Sequence, residues 1–259
     1  MKVVLFCGGL GMRMRDYSED IPKPMVNVGN KPILWNLMKY YSYFGHKDFI
    51  LCLGYKAELI KRYFLEYREA ISNDFVFSRG GSDVQLLSTD IQDWKITFVD
   101  TGLTSNVGQR FMAVKRYLEG DDVFLVNYTD VLTDMHLPDM IRYANKQDKI
   151  ACLLSVKTSQ RFHVVDSTAD GLIKSVKNIG QSDLRINGGF YVFKKEIFDY
   201  IKDGEDLVEE PFRRLIKIKE IAAFIYDGFW VAMDTFRDKQ FLEDKYTRGE
   251  TPWEVWKKS

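Results

Sequence analysis

Lys2-Val3-Val4-Leu5-Phe6-Cys7-Gly8-Gly9-Leu10-Gly11-Met12-Arg13 opens the chain with an apolar run that empties into glycines. A short apolar run bounded by turn signals reads as a buried strand, so Lys2–Cys7 is expected to be one. Glycines placed directly after a strand can aim backbone N–H groups at a phosphate. Spacing excludes the two commonest loops of that kind. A Walker A loop needs Gly-Lys-Ser/Thr, and no such triplet follows Gly8. A dinucleotide fingerprint needs a third glycine three residues past Gly11, where Met14 stands.

Outward from this stretch, apolar runs alternate with helix-like patterns. Asp48–Leu53, Ile96–Val99, Val123–Asn127 and Ile150–Val156 read as strands. Lys31–Phe44, Glu58–Tyr67, Val107–Leu118 and Leu137–Asn145 carry apolar residues at helical spacing, with Gly45 as an expected C-cap. The alternation predicts an α/β fold, a Rossmann-like sheet flanked by helices on both faces. After about residue 156, Phe162–Asp166, Leu172–Val176 and Gly188–Phe193 follow closely, which predicts a smaller antiparallel region and hence a mixed sheet. Helices over Lys195–Ile201, Pro211–Lys219 and Arg237–Tyr246 and a strand at Ile221–Tyr226 complete the pattern. No Ser/Gly tract divides the 259 residues, so a single domain is expected.

The bulk properties narrow the function. Lys+Arg and Asp+Glu both count 37, which argues against a nucleic-acid or polybasic membrane binder. No window approaches 18 apolar residues, so no membrane span is expected. Cys7, Cys52 and Cys152 sit in apolar runs without metal-site spacing, as buried thiols of a reducing, cytoplasmic compartment would. The three histidines are scattered along the sequence and read as structural, and no G-x-S-x-G elbow supports hydrolase chemistry.

The charged residues point to polyphosphate. Arg13, Arg15 and Lys23 follow the glycines closely, and Lys23 lies between Pro22 and Pro24, which predicts a backbone pinned in extended conformation. Asp130 follows the strand Val123–Asn127, and ligands of open parallel sheets bind beyond strand carboxyl ends. A carboxylate there can hold Mg2+ against phosphates, although a turn or cap role also suits it. Asp234 lies in an apolar stretch, where a carboxylate needs a partner or cation, and it could equally cap the helix that follows.

Gly8-Gly9-Leu10-Gly11-Met12-Arg13 followed by Pro22-Lys23-Pro24-Met25 and Lys31-Pro32-Ile33-Leu34-Trp35 resembles the signature of the sugar-1-phosphate nucleotidylyltransferases. Asp48–Lys56, Val99-Asp100-Thr101-Gly102, Ile186-Asn187-Gly188-Gly189-Phe190, Gly228-Phe229-Trp230, Met233-Asp234-Thr235 and Pro252-Trp253-Glu254-Val255-Trp256 extend the likeness over nearly the whole chain, and most closely to the CTP-using branch. The resemblance implies CMP transfer from CTP to a phosphorylated acceptor, with loss of pyrophosphate and formation of a CDP-activated metabolite for glycan, capsule or lipopolysaccharide assembly. It implies Arg13 and Lys23 as catalytic cations. It places nucleotide at Gly8, Gly9, Leu10, Gly11 and Met12, with Thr104, Ser105 and Arg110 at the cytosine edge. It implies Mg2+ on Asp130 and Asp234, and acceptor contacts from Lys177, Asn187, Gly188 and Glu210. Residues 1–156 would form the nucleotide half and 157–259 the acceptor and subunit-contact half of a homo-oligomer. UTP or dTTP in place of CTP, and a non-catalytic nucleotide-binding relative, stay open as alternatives.

Three departures from the family pattern stand out. Met12 replaces a threonine. Asn127-Tyr128-Thr129-Asp130-Val131 lacks glycines beside the aspartate. Ser175-Val176-Lys177-Asn178-Ile179-Gly180-Gln181 stands where the family carries Glu-Lys-Pro, which predicts an altered acceptor pocket. The acceptor is therefore expected to be a sugar 1-phosphate or a related polyol or small-molecule phosphate.

Overall fold

A computed structural model of the chain describes residues 1–9, 21–158 and 163–257. Leu10, Gly11, Met12, Arg13 and Arg15 lie outside the described residues. The central sheet has seven strands: β1 (Lys2–Phe6), β2 (Asp48–Leu53), β3 (Lys95–Asp100), β4 (Val123–Tyr128), β5 (Ala151–Val156), β6 (Ile186–Lys194) and β7 (Ile221–Tyr226). Their spatial order is β7-β5-β6-β4-β1-β2-β3. Neighbours run parallel except where β6 is involved, which is antiparallel to both β5 and β4. The main helices are α1 (Ile33–Tyr43), α2 (Ala57–Leu65), α3 (Val107–Val114), α4 (Leu137–Gln147), α5 (Glu210–Lys217) and α6 (Phe236–Thr247).

Both faces of the sheet are covered, which is why its strands read as nearly unbroken apolar runs. Successive residues of β1 point to opposite faces. Val3 and Leu5 join Leu34, Leu37 and Met38 of α1 and Met140 of α4 in one core. Val4 and Phe6 join Phe111 and Val114 of α3 and Leu215 of α5 in the other. A third cluster, with Val26, Val28, Leu132, Met233, Leu242 and Trp253, seats α6 beside the front of the sheet. Cys7, Cys52 and Cys152 are buried free thiols, as their apolar surroundings predict. Among the described residues, no helix is long and apolar enough to cross a membrane.

The mixed sheet flanked by helices agrees with the sequence pattern, with physical differences in detail. The second half supplies one reversed strand to the sheet, β6, while β5 and β7 pair in parallel. Its other antiparallel element is a separate hairpin, His163–Ser167 with Ile173–Asn178. The expected helix at Lys195–Ile201 is a 3-10 segment, Lys195–Tyr200. The expected helix Val107–Leu118 is α only to Val114 and tightens into a 3-10 turn at Lys115–Leu118. An unpredicted hairpin, Phe75–Ser78 with Asp83–Leu86, projects exposed apolar residues, Phe77 among them.

The topology places the site. β1 lies between β4 and β2, and the chain leaves it to build β2 and β3 on one side and β4 on the other. Loops leaving β1 and β4 therefore diverge and open a crevice at the strands' carboxyl ends. Phe6 and Tyr128 are paired at that edge, so Gly8-Gly9 and Thr129-Asp130 emerge side by side.

Candidate active site

Asp130 and Asp234 are 104 positions apart in sequence, and a small ribbon brings them together. Val131–Thr133 pairs antiparallel with Trp230–Ala232. The ladder continues one step, with the Met233 N–H donating to the Asp130 carbonyl at 2.8 Å. Both aspartates thus sit at one end of the ribbon. The expected alternative for Asp234, a helix cap, is taken by its neighbour: Thr235 accepts from the Asp238 N–H, and the Asp238 carboxylate accepts from the Thr235 N–H. That leaves the Asp234 side chain for the crevice.

Lys23 closes the group. Its ammonium donates to Asp130 Oδ2 at 2.6 Å and to Asp234 Oδ1 at 2.8 Å. Burial opposes its charge, but the two carboxylates outweigh burial and hold its pKa above the ordinary lysine value. Lys23 therefore stays cationic throughout the neutral range. The local backbone differs from the extended form expected between two prolines. Pro22 is extended, but Lys23–Met25 is a 3-10 turn closed by the Met25 N–H donating to the Pro22 carbonyl at 2.8 Å.

Two clefts meet at this group. One, of about 490 Å³, is lined by Gly8, Gly9, Lys23, Leu103, Thr104, Ser105, Asn106, Arg110, Tyr128, Asp130 and Asp206, among others. The other, of about 550 Å³, is lined by Gly9, Lys23, Asp130, Val131, Ile186, Asn187, Gly188, Gly189, Trp230 and Asp234, among others. Gly9, Lys23, Tyr128 and Asp130 belong to both. In the second cleft the Trp230 indole N–H donates to the Gly188 carbonyl at 2.9 Å, so the ring is fixed. The Asn187 amide is likewise tied, donating to the Tyr191 hydroxyl and accepting from the Gly189 N–H.

Arg110 lines the first cleft beside Thr104 and Ser105, and its guanidinium is bonded to the chain. Its terminal nitrogens donate to the carbonyls of Leu53, Gly102, Gly8 and Leu103 and to the Thr101 hydroxyl. The residue is only 4% exposed. Its terminal N–H groups are spent on the chain rather than offered to a base edge, so it positions the walls of the first cleft. Glycine is required beside it: a Cβ at Gly8 would lie 2.1 Å from the guanidinium and one at Gly54 2.6 Å from it. Thr104 and Ser105 do line this cleft, with the Ser105 hydroxyl donating to the Thr101 carbonyl at 2.6 Å.

Lys177 and Glu210 are not brought to the second cleft. Lys177 is exposed on the 163–178 hairpin, and Glu210 opens α5 as the residue before Pro211. Neither is among the residues lining the two clefts. The hairpin forms its own small sheet, which holds Lys177 in register opposite Val164 rather than against the crevice.

Sequence reading gave no site role to Asp206, Ile186 or Trp230, which line the clefts. Tyr128, at the end of β4, lines both. Burial, with Asp206 and Asp130 adding to it, pushes its phenol up to about 12, so it is a neutral donor and acceptor. Asp206 lies in the acidic stretch 203–210, which offers no motif, and its loop is clamped by the Glu205–Arg214 ion pair. That pairing holds the Glu205 carboxyl down at about 2.

Comparison with known proteins agrees with this architecture. Residues 2–240 match the family described as "Nucleotidyl transferase". A probable glucose-1-phosphate cytidylyltransferase of Bacillus subtilis (strain 168) is 39% identical over 258 residues, covering 99% of this chain and all of that protein. A glucose-1-phosphate cytidylyltransferase of Salmonella typhimurium is 38% identical with the same coverage. Among solved structures, a UDP-glucose pyrophosphorylase complexed with UDP-glucose superposes with a TM-score of 0.71 at 16% identity, covering 96% of this chain and 98% of that one. HddC from Yersinia pseudotuberculosis gives 0.66 at 24% identity, covering 95% and 99%. These structures share the fold. With the family matched over nearly its whole length, the chain belongs to the nucleotidyl transferases.

Proposed function

We propose that the chain is a cytidylyltransferase that transfers CMP from CTP to a sugar 1-phosphate, releasing pyrophosphate. The observation that carries this reading is the junction of two clefts at Lys23, Asp130 and Asp234, in a chain 38–39% identical end to end to glucose-1-phosphate cytidylyltransferases. The Gly8-Gly9 cleft takes the nucleotide, and the Asn187–Trp230 cleft takes the acceptor. Thr104, Ser105 and Asp206 face the base and ribose end. Asn187, Gly188 and Trp230 face the acceptor, and Lys177 and Glu210 have no acceptor contact in this reading.

An acceptor phosphate oxygen attacks the α-phosphorus in line, a new P–O bond forms, and the bond to the β-phosphate oxygen breaks. The protein supplies no nucleophile. Its task is to hold two mutually repelling anions in line and to offset charge in the transition state. Lys23 lines both clefts and supplies a cation where the two anions converge. The backbone at Gly8-Gly9 approaches the phosphates without a side chain between.

Asp130 and Asp234 suit a Mg2+ ion. Each presents an oxygen to one common point, shown by the single ammonium within 2.8 Å of both. With two carboxylates from the protein, the ion would be completed by phosphates and water. When bound, Mg2+ would neutralise phosphate charge and polarise the bond to the leaving group.

Solvent-exposed apolar residues on the two hairpins, Phe77, Val84, Val165 and Ile173 among them, support a homo-oligomer. The product, a CDP-sugar, suits glycan or surface-polysaccharide assembly.

A panel of CTP, UTP, dTTP, ATP and GTP with glucose 1-phosphate and other sugar and polyol phosphates, read by pyrophosphate release with Mg2+, tests the reading. CTP with a sugar 1-phosphate is expected to exceed every other nucleotide by about tenfold or more. Release with UTP or dTTP equal to CTP would move the assignment to those nucleotides. Absence of release with any pair, while CTP still binds, would leave a binding protein.

A further inference from the structure

Lys23 contributes to both clefts, and its ammonium is held by the carboxylates at their junction. It is bonded to one oxygen each of Asp130 and Asp234, at 2.6 and 2.8 Å. A divalent cation sent to those carboxylates meets a positive charge already sharing their oxygens. Two like charges within a few ångströms repel strongly in a partly buried site, so ammonium and metal cannot both use this position at full strength.

The anchoring of Lys23 restricts how that conflict is resolved. Its backbone is fixed in the turn closed by Met25 and Val26, and Pro24 behind it is buried. The four torsions of the side chain are what remain to move. Because Lys23 lines both clefts, an ammonium leaving the carboxylates swings into the space that the proposed function gives to the substrates' phosphates. A triphosphate therefore offers the lysine a new anionic partner at the moment it delivers a metal to the old ones.

We propose that Lys23 gates the cation site: its ammonium closes Asp130 and Asp234 to a free divalent ion and yields them when a triphosphate draws it away. The inference rests on reading those carboxylates as cation ligands. It makes metal and nucleotide binding mutually cooperative, since whatever factor the nucleotide adds to metal affinity the metal returns to nucleotide affinity.

The test uses Mn2+ alone, without nucleotide, on the full chain. Binding is read by electron paramagnetic resonance and by the rise in melting temperature on Mn2+ addition. Lys23→Met and Lys23→Gln are expected to bind Mn2+ at least about tenfold more tightly than wild type. Adding Asp130→Asn to either variant is expected to erase the gain. Equal Mn2+ affinity in wild type and both Lys23 variants, with affinity still lost on Asp130→Asn, would leave the cation site standing and overturn the gate. Binding indifferent to Asp130→Asn in every background would overturn the cation assignment itself. If repulsion between the uncovered carboxylates unfolds the Lys23 variants, recovery of the fold on adding Mn2+ supports the gate, and failure to recover counts against it.

Discussion

Lys23→Ala is expected to lower the turnover of CMP transfer by about 10²–10³-fold while the protein stays folded. The ammonium is the one described cation that lines both clefts beside the two aspartates. A positioned cation offsets charge that grows on the transferring phosphoryl group, so its loss falls on the chemical step. The fold should tolerate the change because the surrounding turn is held by backbone bonds and by buried Pro22 and Pro24. Steady-state pyrophosphate release beside far-ultraviolet circular dichroism checks both halves. A folded variant with unchanged turnover would remove Lys23 from the reaction.

Arg110→Ala is expected to act on stability, by about 1–3 kcal/mol, the scale for hydrogen bonds to a buried charged group. Its guanidinium bridges the ends of β1 and β2 and the 101–103 loop through four carbonyls and the Thr101 hydroxyl. Without it those acceptors lose partners in a place where water is scarce, and each unsatisfied group costs about 1–3 kcal/mol. Some acceptors keep a second bond, since the Leu53 carbonyl also accepts from the Thr101 N–H and hydroxyl, which limits the total. Urea unfolding followed by circular dichroism reads the loss. Wild-type stability in Arg110→Ala, with only nucleotide affinity reduced, would restore the base-reading role expected from sequence.

Much of the fold was legible because its signals are local. β2 and β7 begin and end where their apolar runs do, at Asp48–Leu53 and Ile221–Tyr226. Gly45 adopts the left-handed φ of 86° that ends α1, as its position predicts. What escaped was set by pairing at a distance. The three-residue strands Val131–Thr133 and Trp230–Ala232 are too short to show periodicity, yet they join the two aspartates. The hairpin at Phe75–Ser78 and Asp83–Leu86 carries its apolar residues into solvent, so burial does not mark it.

The site was legible where a residue's chemistry conflicts with its surroundings and obscure where it does not. Asp234 among apolar residues needs a partner, and Lys23, marked by its place between prolines after the glycines, supplies it. Arg110 is marked only by the family resemblance, and its partners are backbone carbonyls that sequence does not display. Asp206 lies in a stretch of acids where a cleft-lining carboxylate looks like a solvated one. Lys177 had the right charge, but it stands exposed on a hairpin that pairs with itself and lines neither cleft.

The convergence of Asp130 and Asp234 at the meeting point of two clefts is tested most directly by Asp130→Asn, Asp234→Asn and the double variant. Pyrophosphate release from CTP, glucose 1-phosphate and Mg2+ is measured for each, with folding checked alongside. Residues that act as one unit lose function non-additively. Each single change should lower turnover by about 100-fold or more, and the double variant should fall little further. A folded single variant near wild-type turnover, or losses that simply multiply in the double, would contradict a shared centre at these carboxylates.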